Sequence, residues 1–424
     1  MRVSRPLIAC ICLVTLVALA VPAYALTPGE LDPTFGQGGK ATALSQGGAG
    51  YAVAMDTHGR VVTAGYTVGG SPNFVVARFL QNGTLDTTFG DLGRTILDLG
   101  GADRAYALAF QTDEKIVLAG ESDSAGRSRM AVARFNANGR VDTTFGGHDG
   151  FVLTSFGKDH QVANAVIFTP DEKIVVAGFT SAGTNARSAM ARYDIGGTLD
   201  HSFSGDGRAS FDLSHSDEQF EALSWDEGNY VLAGYADVNS VPAFSVASVL
   251  GTGRLNDQFN HNGFNTTNVS VGRDLGFAMV QQPDGKIVVA GRAGNGGRND
   301  WGSVRYMPNG GVDKSWGKRG RVVTSFGKSF DVAYGIAMQA NGKMVVVGRV
   351  HRTTTGSDFG LVRYNTDGSI NQAFGTKGKV KTDFAGGADT ARGIVITDSN
   401  RRMVVVGDAM KNGVRKLALA RYVE

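Results

Sequence analysis

Cysteine is almost absent from this 424-residue sequence. Its two cysteines, Cys10 and Cys12, both lie in the first apolar stretch. If that stretch is a cleaved leader, as its pattern below indicates, the mature chain has no cysteine. Disulfide bonds, thiolate metal sites and cysteine nucleophiles would then be excluded.

The sequence also has little proline, little net charge and few long apolar runs. It has 9 prolines, a formal charge of +3 and 42% hydrophobic residues, a composition that excludes disorder. No window shows the 3.6-residue spacing of an amphipathic helix. Beyond the N-terminus, no apolar run is long enough to span a bilayer. The charges do not concentrate into a basic footprint, so nucleic-acid binding is not expected.

The N-terminus has the pattern of a secretory signal peptide. Arg2 and Arg5 precede an apolar stretch from Leu7 to Val21, and Ala23-Tyr24-Ala25 forms an A-x-A cleavage site. We expect residues 1–25 to be removed and the protein to be secreted or periplasmic, with no transmembrane anchor after cleavage. Loss of the two arginines would lower the formal charge from +3 to +1. A membrane anchor, or lipidation at Cys10, is the alternative.

Glycine is abundant, and part of that abundance is periodic. The chain has 60 glycines, about twice the usual share of ~7%. A stretch like Pro283 to Gly291, which reads PDGKIVVAG, recurs seven times. Its last glycine is Gly65, Gly120, Gly178, Gly234, Gly291, Gly348 or Gly407. The first and last are 342 residues apart, which is six repeats of 57 residues, and a period of this length indicates a solenoid, propeller or array.

Each repeat contains four short strands. In the second copy they are Gly93 to Leu99, Ala105 to Phe110, Lys115 to Gly120 and Met130 to Phe135. Seven four-stranded antiparallel units predict an all-β, seven-bladed β-propeller over residues 26–424. We name the strands of a blade A to D, from the axis outwards. A β-solenoid is the rival architecture.

The chain ends predict how the ring closes. The mature chain begins with an outer strand D, Gly39 to Ser45, and ends with a strand C, Leu417 to Val423. The N-terminal strand should therefore complete the last blade, which removes unpaired sheet edges.

Turn residues separate the strands. Asp284-Gly285 and Asn341-Gly342, between strands A and B, predict type I′ hairpin turns. After strand C, each copy carries one aromatic residue in a turn, and we interpret it as a plug between adjacent units. These residues are Phe35, Phe89, Phe145, Phe203, Phe259, Trp316 and Phe374.

The recurring segments LDTTFG, DGKIVVAG and ARYNTDG resemble the delta-60 repeat, a family of exported bacterial proteins. The resemblance covers all seven copies, from Leu31 to Tyr422. It implies a β-propeller of unknown function and brings no catalytic residues. The fourth copy departs most from the pattern, with Ser248, Asn256 and a turn over Asp226 to Asn229, so we expect an irregular fourth blade.

A spacing that recurs from repeat to repeat predicts a structural ion pair. An arginine closes strand C in six copies, and an acid or its amide follows eight residues later, as in Arg134 and Asp142. In the fourth copy both members are neutral, which indicates that they pair. We expect an Arg–carboxylate contact that fixes the C–D turn; an anion site on the arginines is the alternative.

Strand A carries the column of greatest chemical variety. It comprises Tyr51, Tyr106, Asn164, Glu221, Phe277, Tyr334 and Arg392. Strand A lies nearest the axis, so these residues are the predicted ligand-binding set at the mouth of the channel. Three residues earlier, five copies have an acid: Asp103, Glu218, Asp274, Asp331 and Asp389. We expect each acid to cap its own turn; a ring that holds Ca²⁺ is the alternative.

The two faces of the ring differ in uniformity. The face with the DGK turns is nearly the same in every copy, whereas the D–A and B–C loops vary. The B–C loops are often basic, with Arg127, Arg129, Arg187, Arg298, Arg349, Arg352, Lys411, Arg415 and Lys416. We therefore expect a non-catalytic scaffold that binds a protein or cell-surface glycan on the variable face.

Catalytic signals are poor. No nucleophile elbow or phosphate loop is present, so no catalytic residue and no cofactor other than Ca²⁺ is predicted. The alternative is an extracytoplasmic hydrolase or lyase at the channel mouth, where Asp159-His160 or His215 with Glu218 could supply acid–base chemistry.

Overall fold

The computed structural model describes residues 26–44, 47–124, 126–183, 185–327, 330–352, 356–384, 386–397 and 401–424. The predicted signal peptide, residues 1–25, lies outside the described residues. The described chain forms seven four-stranded antiparallel sheets and one short 3₁₀ helix, Gly146–His148. The predicted seven-bladed β-propeller is confirmed.

The first four blades each follow the chain order A, B, C, D. Blade 1 contains β2 (Gly48–Met55), β3 (Val61–Thr67), β4 (Phe74–Phe79) and β5 (Arg94–Leu97). Blade 2 contains β6 (Ala102–Phe110), β7 (Ile116–Ser124), β8 (Arg127–Phe135) and β9 (Phe151–Thr154). Blade 3 contains β10 (His160–Phe168), β11 (Ile174–Ala182), β12 (Asn185–Tyr193) and β13 (Arg208–Phe211). Blade 4 contains β14 (Glu218–Asp226), β15 (Asn229–Val238), β16 (Val241–Leu250) and β17 (Phe264–Thr267).

The last three blades include the one that joins the chain ends. Blade 5 contains β18 (Leu275–Gln281), β19 (Ile287–Asn295), β20 (Arg298–Tyr306) and β21 (Arg321–Thr324). Blade 6 contains β22 (Val332–Met338), β23 (Met344–Arg352), β24 (Gly356–Tyr364) and β25 (Lys379–Thr382). Blade 7 contains β26 (Asp389–Thr397), β27 (Arg402–Lys411), β28 (Val414–Val423) and β1 (Lys40–Ala43).

The ring closes through its first and last strands, as predicted. Strand β1 pairs antiparallel with β28, with Lys40 opposite Ala420 and Ala43 opposite Leu417. Farther along, Leu31 forms a bridge with Tyr422. The closed ring leaves blade 7 with the same four strands as every other blade.

The core lies between neighbouring blades. Side chains of blade 1 such as Val62 and Phe74 pack against Ala105 and Leu118 of blade 2 in one buried cluster. Blade 7 packs against blade 1 in the same way. A single blade therefore buries its apolar faces only when both neighbours are present.

The plug aromatics are fully or almost fully buried between blades, as predicted. Six of the seven rings lie close to a glycine in the C–D turn of the next blade. A Cβ added to Gly139 would come within 2.6 Å of the Phe89 ring, and one added to Gly197 within 2.7 Å of Phe145. Both glycines have positive φ, 83° and 93°. Glycine at this position satisfies the turn and leaves space for the plug.

The predicted arginine pairs are present and also reach across blades. Nε of the arginine lies 2.8 to 3.0 Å from the carboxylate in five blades, as in Arg305 with Asp313. The guanidinium of Arg305 also lies 4.9 Å from the Trp316 ring centre and donates to the carbonyl of Thr366, in blade 6, at 2.7 Å. The pair therefore fixes its own turn and tethers the next blade.

The structure corrects three sequence predictions. The turn at Asp284-Gly285 is not type I′, because only Gly285 has positive φ, 76°; Asp284 instead accepts the backbone N–H of Lys286. Blade 4 is regular. Its distinct sequence gives a two-residue turn at Glu227-Gly228, both with positive φ, which pairs Asp226 with Asn229.

The third correction concerns the basic residues placed in the B–C loops. All nine lie in strands: Arg127 and Arg129 in β8, Arg187 in β12, Arg298 in β20, Arg349 and Arg352 in β23, Lys411 in β27, and Arg415 and Lys416 in β28. In blades 4, 5 and 7 strands B and C stay paired up to two-residue turns such as Asn412-Gly413, where both residues have positive φ. The variable face is thus edged by hairpin tips.

The recurring glycine of strand B stands opposite a β-bulge in strand A. In every blade the A–B register shifts by one residue at this point, for example between Gly276 and Ala278. A Cβ added to Gly291 would lie 1.9 Å from the Leu275 carbonyl oxygen, and the other six glycines meet the same contact at 1.9 to 2.1 Å. Glycine is required here because the bulged backbone approaches so closely.

We predict that Gly291→Ala destabilises the protein by about 1–3 kcal/mol, because strand A must move away from the new methyl group. Gly70→Ala is the matched control, since a Cβ there meets nothing within 4 Å. Urea unfolding of both variants measures the difference. Equal stability of the two variants would contradict the role assigned to the bulge.

We also predict that Arg305→Ala costs about 3–5 kcal/mol, because it leaves the Asp313 carboxylate buried without its partner. The double variant R305S/D313N reproduces the neutral pair of blade 4, where Asn256 donates to Ser248 at 3.3 Å. It should lose less stability than Arg305→Ala in heat or urea unfolding. A larger loss in the double variant would show that the uncompensated charge is not the cause.

Candidate functional site

The seven bulges place the predicted ligand-binding residues in the axial channel. The residue skipped by the register shift is the variable one in each blade: Tyr51, Tyr106, Asn164, Glu221, Phe277, Tyr334 and Arg392. A bulge turns a side chain away from the direction that regular strand pairing would give it. The structure thus brings all seven together around the axis.

Together these seven side chains line one cavity of about 320 Å³. A second stretch of the channel, about 250 Å³, continues along the next two residues of each strand A, which are small or apolar, such as Ala278 and Met279. The cavity volume lies at the lower end of the range for small-molecule sites. It suits one compact chemical group.

Aromatic rings form one side of the cavity. The Tyr51 ring lies 5.1 Å from the Tyr106 ring and 5.4 Å from the Tyr66 ring, and Phe277 lies 5.4 Å from Tyr334. The guanidinium of Arg392 stacks between Tyr51 and Tyr334, at 4.1 and 5.4 Å from their ring centres. These contacts hold the rings in place and restrict the space beside them.

Three of the polar channel residues are already paired. Arg392 forms an ion pair with Asp408, with Nε 3.0 Å from Oδ1. Burial acts to lower the pKa of Arg392, but Tyr51 and Asp408 outweigh it and raise that pKa. The Tyr106 hydroxyl donates to Glu121 at 2.8 Å, and Arg104 pairs with the same carboxylate. Asn164 donates to the Phe220 carbonyl oxygen at 3.0 Å.

Glu221 differs from the other polar residues of the channel. Among the described residues its carboxyl group has no hydrogen bond and no ion pair, and its side chain is half-buried. Burial alone raises the pKa of Glu221 to about 8. At neutral pH the isolated protein therefore holds Glu221 mainly in its protonated form.

Sequence reasoning missed a second tier of channel residues. The residue after each recurring glycine of strand B contacts or neighbours the bulged residue of its own blade, as Tyr66 does with Tyr51, Glu121 with Tyr106 and Asp408 with Arg392. The full column is Tyr66, Glu121, Phe179, Tyr235, Arg292, Arg349 and Asp408. This column varies in chemistry although the glycine before it is the same in every copy. An alignment of the repeats with one another could therefore have identified it.

The five acids of the D–A loops do not line the cavity. Asp103, Glu218, Asp274, Asp331 and Asp389 are fully buried. Each accepts backbone N–H groups near its own strand: Leu99 donates to Asp103 at 2.6 Å, and Leu213 and Ser214 donate to Glu218 at 2.8 Å. This geometry agrees with the turn-capping interpretation.

The described acids come close enough to share a cation at one corner only. Oxygens of Asp358, Asp383 and Asp389 lie within 4.8 Å of one another, where blade 6 meets blade 7. Arg352 pairs with Asp358 at 2.5 Å. Burial, together with the charges of the other two acids, raises the pKa of Asp389 to about 7. Only Asp389 belongs to the predicted ring, so the Ca²⁺ alternative stays a prediction.

The two histidines considered for acid–base chemistry lie outside the cavity lining. His160 is within hydrogen-bond distance of the Ser128 hydroxyl, at 2.6 Å, and lies 3.9 Å from Glu121. His215 is exposed and pairs with Asp212 at 3.2 Å rather than with Glu218.

We predict that Glu221→Gln removes part of the pH dependence of stability. Because the folded-state pKa of about 8 exceeds the unfolded value near 4.5, Glu221 should make wild type progressively less stable as pH rises between these values. The variant should match wild type near pH 4, below the unfolded pKa, and melt at higher temperature at pH 9. Thermal unfolding at both pH values measures this, and an equal difference at the two pH values would contradict it.

The chain resembles known propellers in sequence motif and in fold. A family model described as a β-propeller domain of unknown function, DUF5122, matches residues 59–89, 111–145, 169–203, 282–315 and 339–374. No curated protein matches the chain in sequence. No described helix has the length and apolar character needed to cross a membrane.

Solved structures share the architecture at low identity. A catalytically inactive virginiamycin B lyase from Staphylococcus aureus, with quinupristin, is 10% identical with a TM-score of 0.52, covering 90% of this chain and 98% of its own. A polysaccharide lyase, an ulvan lyase, is 11% identical with a TM-score of 0.50, covering 94% of both chains. Sqt1 from Chaetomium thermophilum, bound to the N-terminus of ribosomal protein L10, is 12% identical with a TM-score of 0.48, covering 91% and 90%.

At these identities the likeness shows the fold alone. The segments that the family model matches lie in five of the seven observed blades. The chain is a β-propeller repeat protein.

Proposed function

We propose that this protein is an exported, non-catalytic binding scaffold that receives part of its ligand in the axial channel. We further propose that its repeats are of the delta-60 type, on the strength of the LDTTFG, DGKIVVAG and ARYNTDG motifs. Export is supported by the signal-peptide pattern of residues 1–25. The ligand would be a protein or a cell-surface glycan.

One observation carries the proposal. Seven repeats keep the glycine, the plug and, in five blades, the Arg–carboxylate pair, yet the seven side chains that meet in the channel are of five different types. A closed ring needs uniform packing residues, whereas selectivity needs a set of different ones. Tyrosine and arginine at the centre of a concave surface are typical of binding sites.

An enzyme is the second candidate, because a carboxyl group with a pKa of about 8 in a cavity can serve as a general acid. A hydrolase or lyase would need a second reactive group beside it. The seven residues that line the cavity include no histidine and no second acid. This arrangement supports binding over catalysis.

A glycan array and a pull-down from cell-envelope extract test the proposal. We predict that the Tyr51→Ala, Tyr106→Ala, Tyr334→Ala triple variant loses at least tenfold in affinity for any ligand found. Leu92→Ala, Ile96→Ala, Val323→Ala, three exposed positions outside the channel, is the matched control and should bind as wild type does. Equal binding by both triple variants would refute the choice of site, and cleaved glycans would favour the enzyme.

A further inference from the structure

Two of the seven residues that line the cavity can carry a formal charge, Arg392 and Glu221, and only Arg392 has a counterion. Arg392 is neutralised by Asp408, and Glu121 by Arg104. Glu221 has no counterion and no hydrogen-bond donor among the described residues, although it lines the cavity. The Glu221 side chain is half-buried, so its carboxyl group stays accessible to a hydrogen-bond donor that enters the cavity. The partner that it lacks within the protein is such a donor, neutral or cationic.

The surroundings of Glu221 favour a cation over a neutral donor. The cavity is lined by four aromatic rings, those of Tyr51, Tyr106, Phe277 and Tyr334. Aromatic faces attract cations, and the attraction increases where water is excluded. The faces of Tyr51 and Tyr334 already hold the Arg392 guanidinium, which shows that these rings accept a positive charge.

Position in the ring separates this cation site from Arg392. Glu221 belongs to blade 4 and Arg392 to blade 7, three blades away in a ring of seven, which is the greatest separation possible. Phe277 of blade 5 and Asn164 of blade 3 are the neighbours of Glu221 on its own side. A cation beside Glu221 is thus kept apart from the positive charge of Arg392.

We propose that the channel receives a protonated amine, which forms an ion pair with the carboxylate of Glu221. The inference rests on the proposed function, because it names the chemistry of the group that the channel binds. The cavity of about 320 Å³ suits the end of a lysine side chain or an amino sugar. Both sources present the same ammonium group.

Binding of the amine should release a proton. Free Glu221 is mainly protonated at neutral pH, and a bound ammonium group stabilises its ionised form. Tyr235 on β15 lies within electrostatic reach of Glu221 and also of Asp217, Asp237, Arg273 and Arg292, while Tyr334 and Arg392 line the same cavity as Glu221. Tyrosine and arginine do not titrate between pH 6 and 8, so Glu221 and the two aspartates are the groups to separate.

Isothermal titration calorimetry of the full chain tests the proposal. The probes are Nα-acetyl-lysine methylamide and glucosamine, with diacetyl-lysine methylamide and N-acetylglucosamine as their uncharged counterparts. Titration at pH 7 in two buffers of different ionisation enthalpy gives the number of protons released. We expect an amine probe to bind at least tenfold more tightly than its acetylated counterpart, with release of about one proton.

Variants assign the effect to one residue. Glu221→Gln should lose at least tenfold in amine affinity and nearly all of the proton release, whereas Asp237→Asn should keep both. Glu172→Gln, on the opposite face of the ring, is the control for the loss of an acid elsewhere. Thermal unfolding at pH 7 confirms that each variant is folded.

The outcomes separate the inference from the proposed function. Binding of the lysine probe alone, or of glucosamine alone, supports the inference and identifies the source. Failure of both amines, or equal binding by Glu221→Gln, overturns the inference. If the screen still finds a ligand that needs the channel tyrosines, the scaffold proposal stands; if it finds none, that proposal fails separately.

Discussion

The geometry of the molecule depends on one close backbone contact that is repeated seven times. In each blade the bulge of strand A brings a carbonyl oxygen to a position that any side chain on strand B would occupy. Glycine at that point permits the bulge, and the bulge turns the next residue toward the axis. The most uniform residue of the repeat therefore sets the position of the most variable one.

A second repeated interaction holds the blades in a ring. The arginine at the end of strand C binds its own carboxylate, stacks on its own plug and donates to the next blade's turn, as Arg78 does with Asp86, Phe89 and Ala137. These contacts lie at the perimeter, on the side of the uniform turns. The channel residues take no part in them and are free to differ. Stability and selectivity are thus carried by separate sets of residues.

Periodicity made the architecture and the channel set predictable. A 57-residue repeat places equivalent residues in equivalent positions, so a column such as Tyr51 to Arg392 must converge wherever strand A lies at the axis. The same reasoning gave the Arg–carboxylate pairs, because copy four lost both members together. These inferences needed only the alignment of the repeat with itself.

Features that depend on local pairing were not predictable in this way. The basic residues of the B–C segments looked like loop residues because they vary, yet short turns keep strands such as β27 and β28 paired to their ends. The turn at Asp284-Gly285 fits its motif but spans a wider connection than a type I′ turn allows. The second tier, with Tyr66 and Asp408, was missed because the bulge that brings it into contact with the first is not visible in the sequence.

The lack of a partner for Glu221 is also a property of the assembled ring, since blades 3, 4 and 5 must meet before it exists. The functional account depends on the claim that this carboxyl group is unpaired in the free protein and pairs with a bound ligand. Carbon-13 NMR of the Glu221 side-chain carboxyl, titrated with and without an alkylamine, measures this most directly. The account predicts a pKa of about 8 in the free protein, falling when the amine is added. A pKa near 4.5 that the amine leaves unchanged would contradict it.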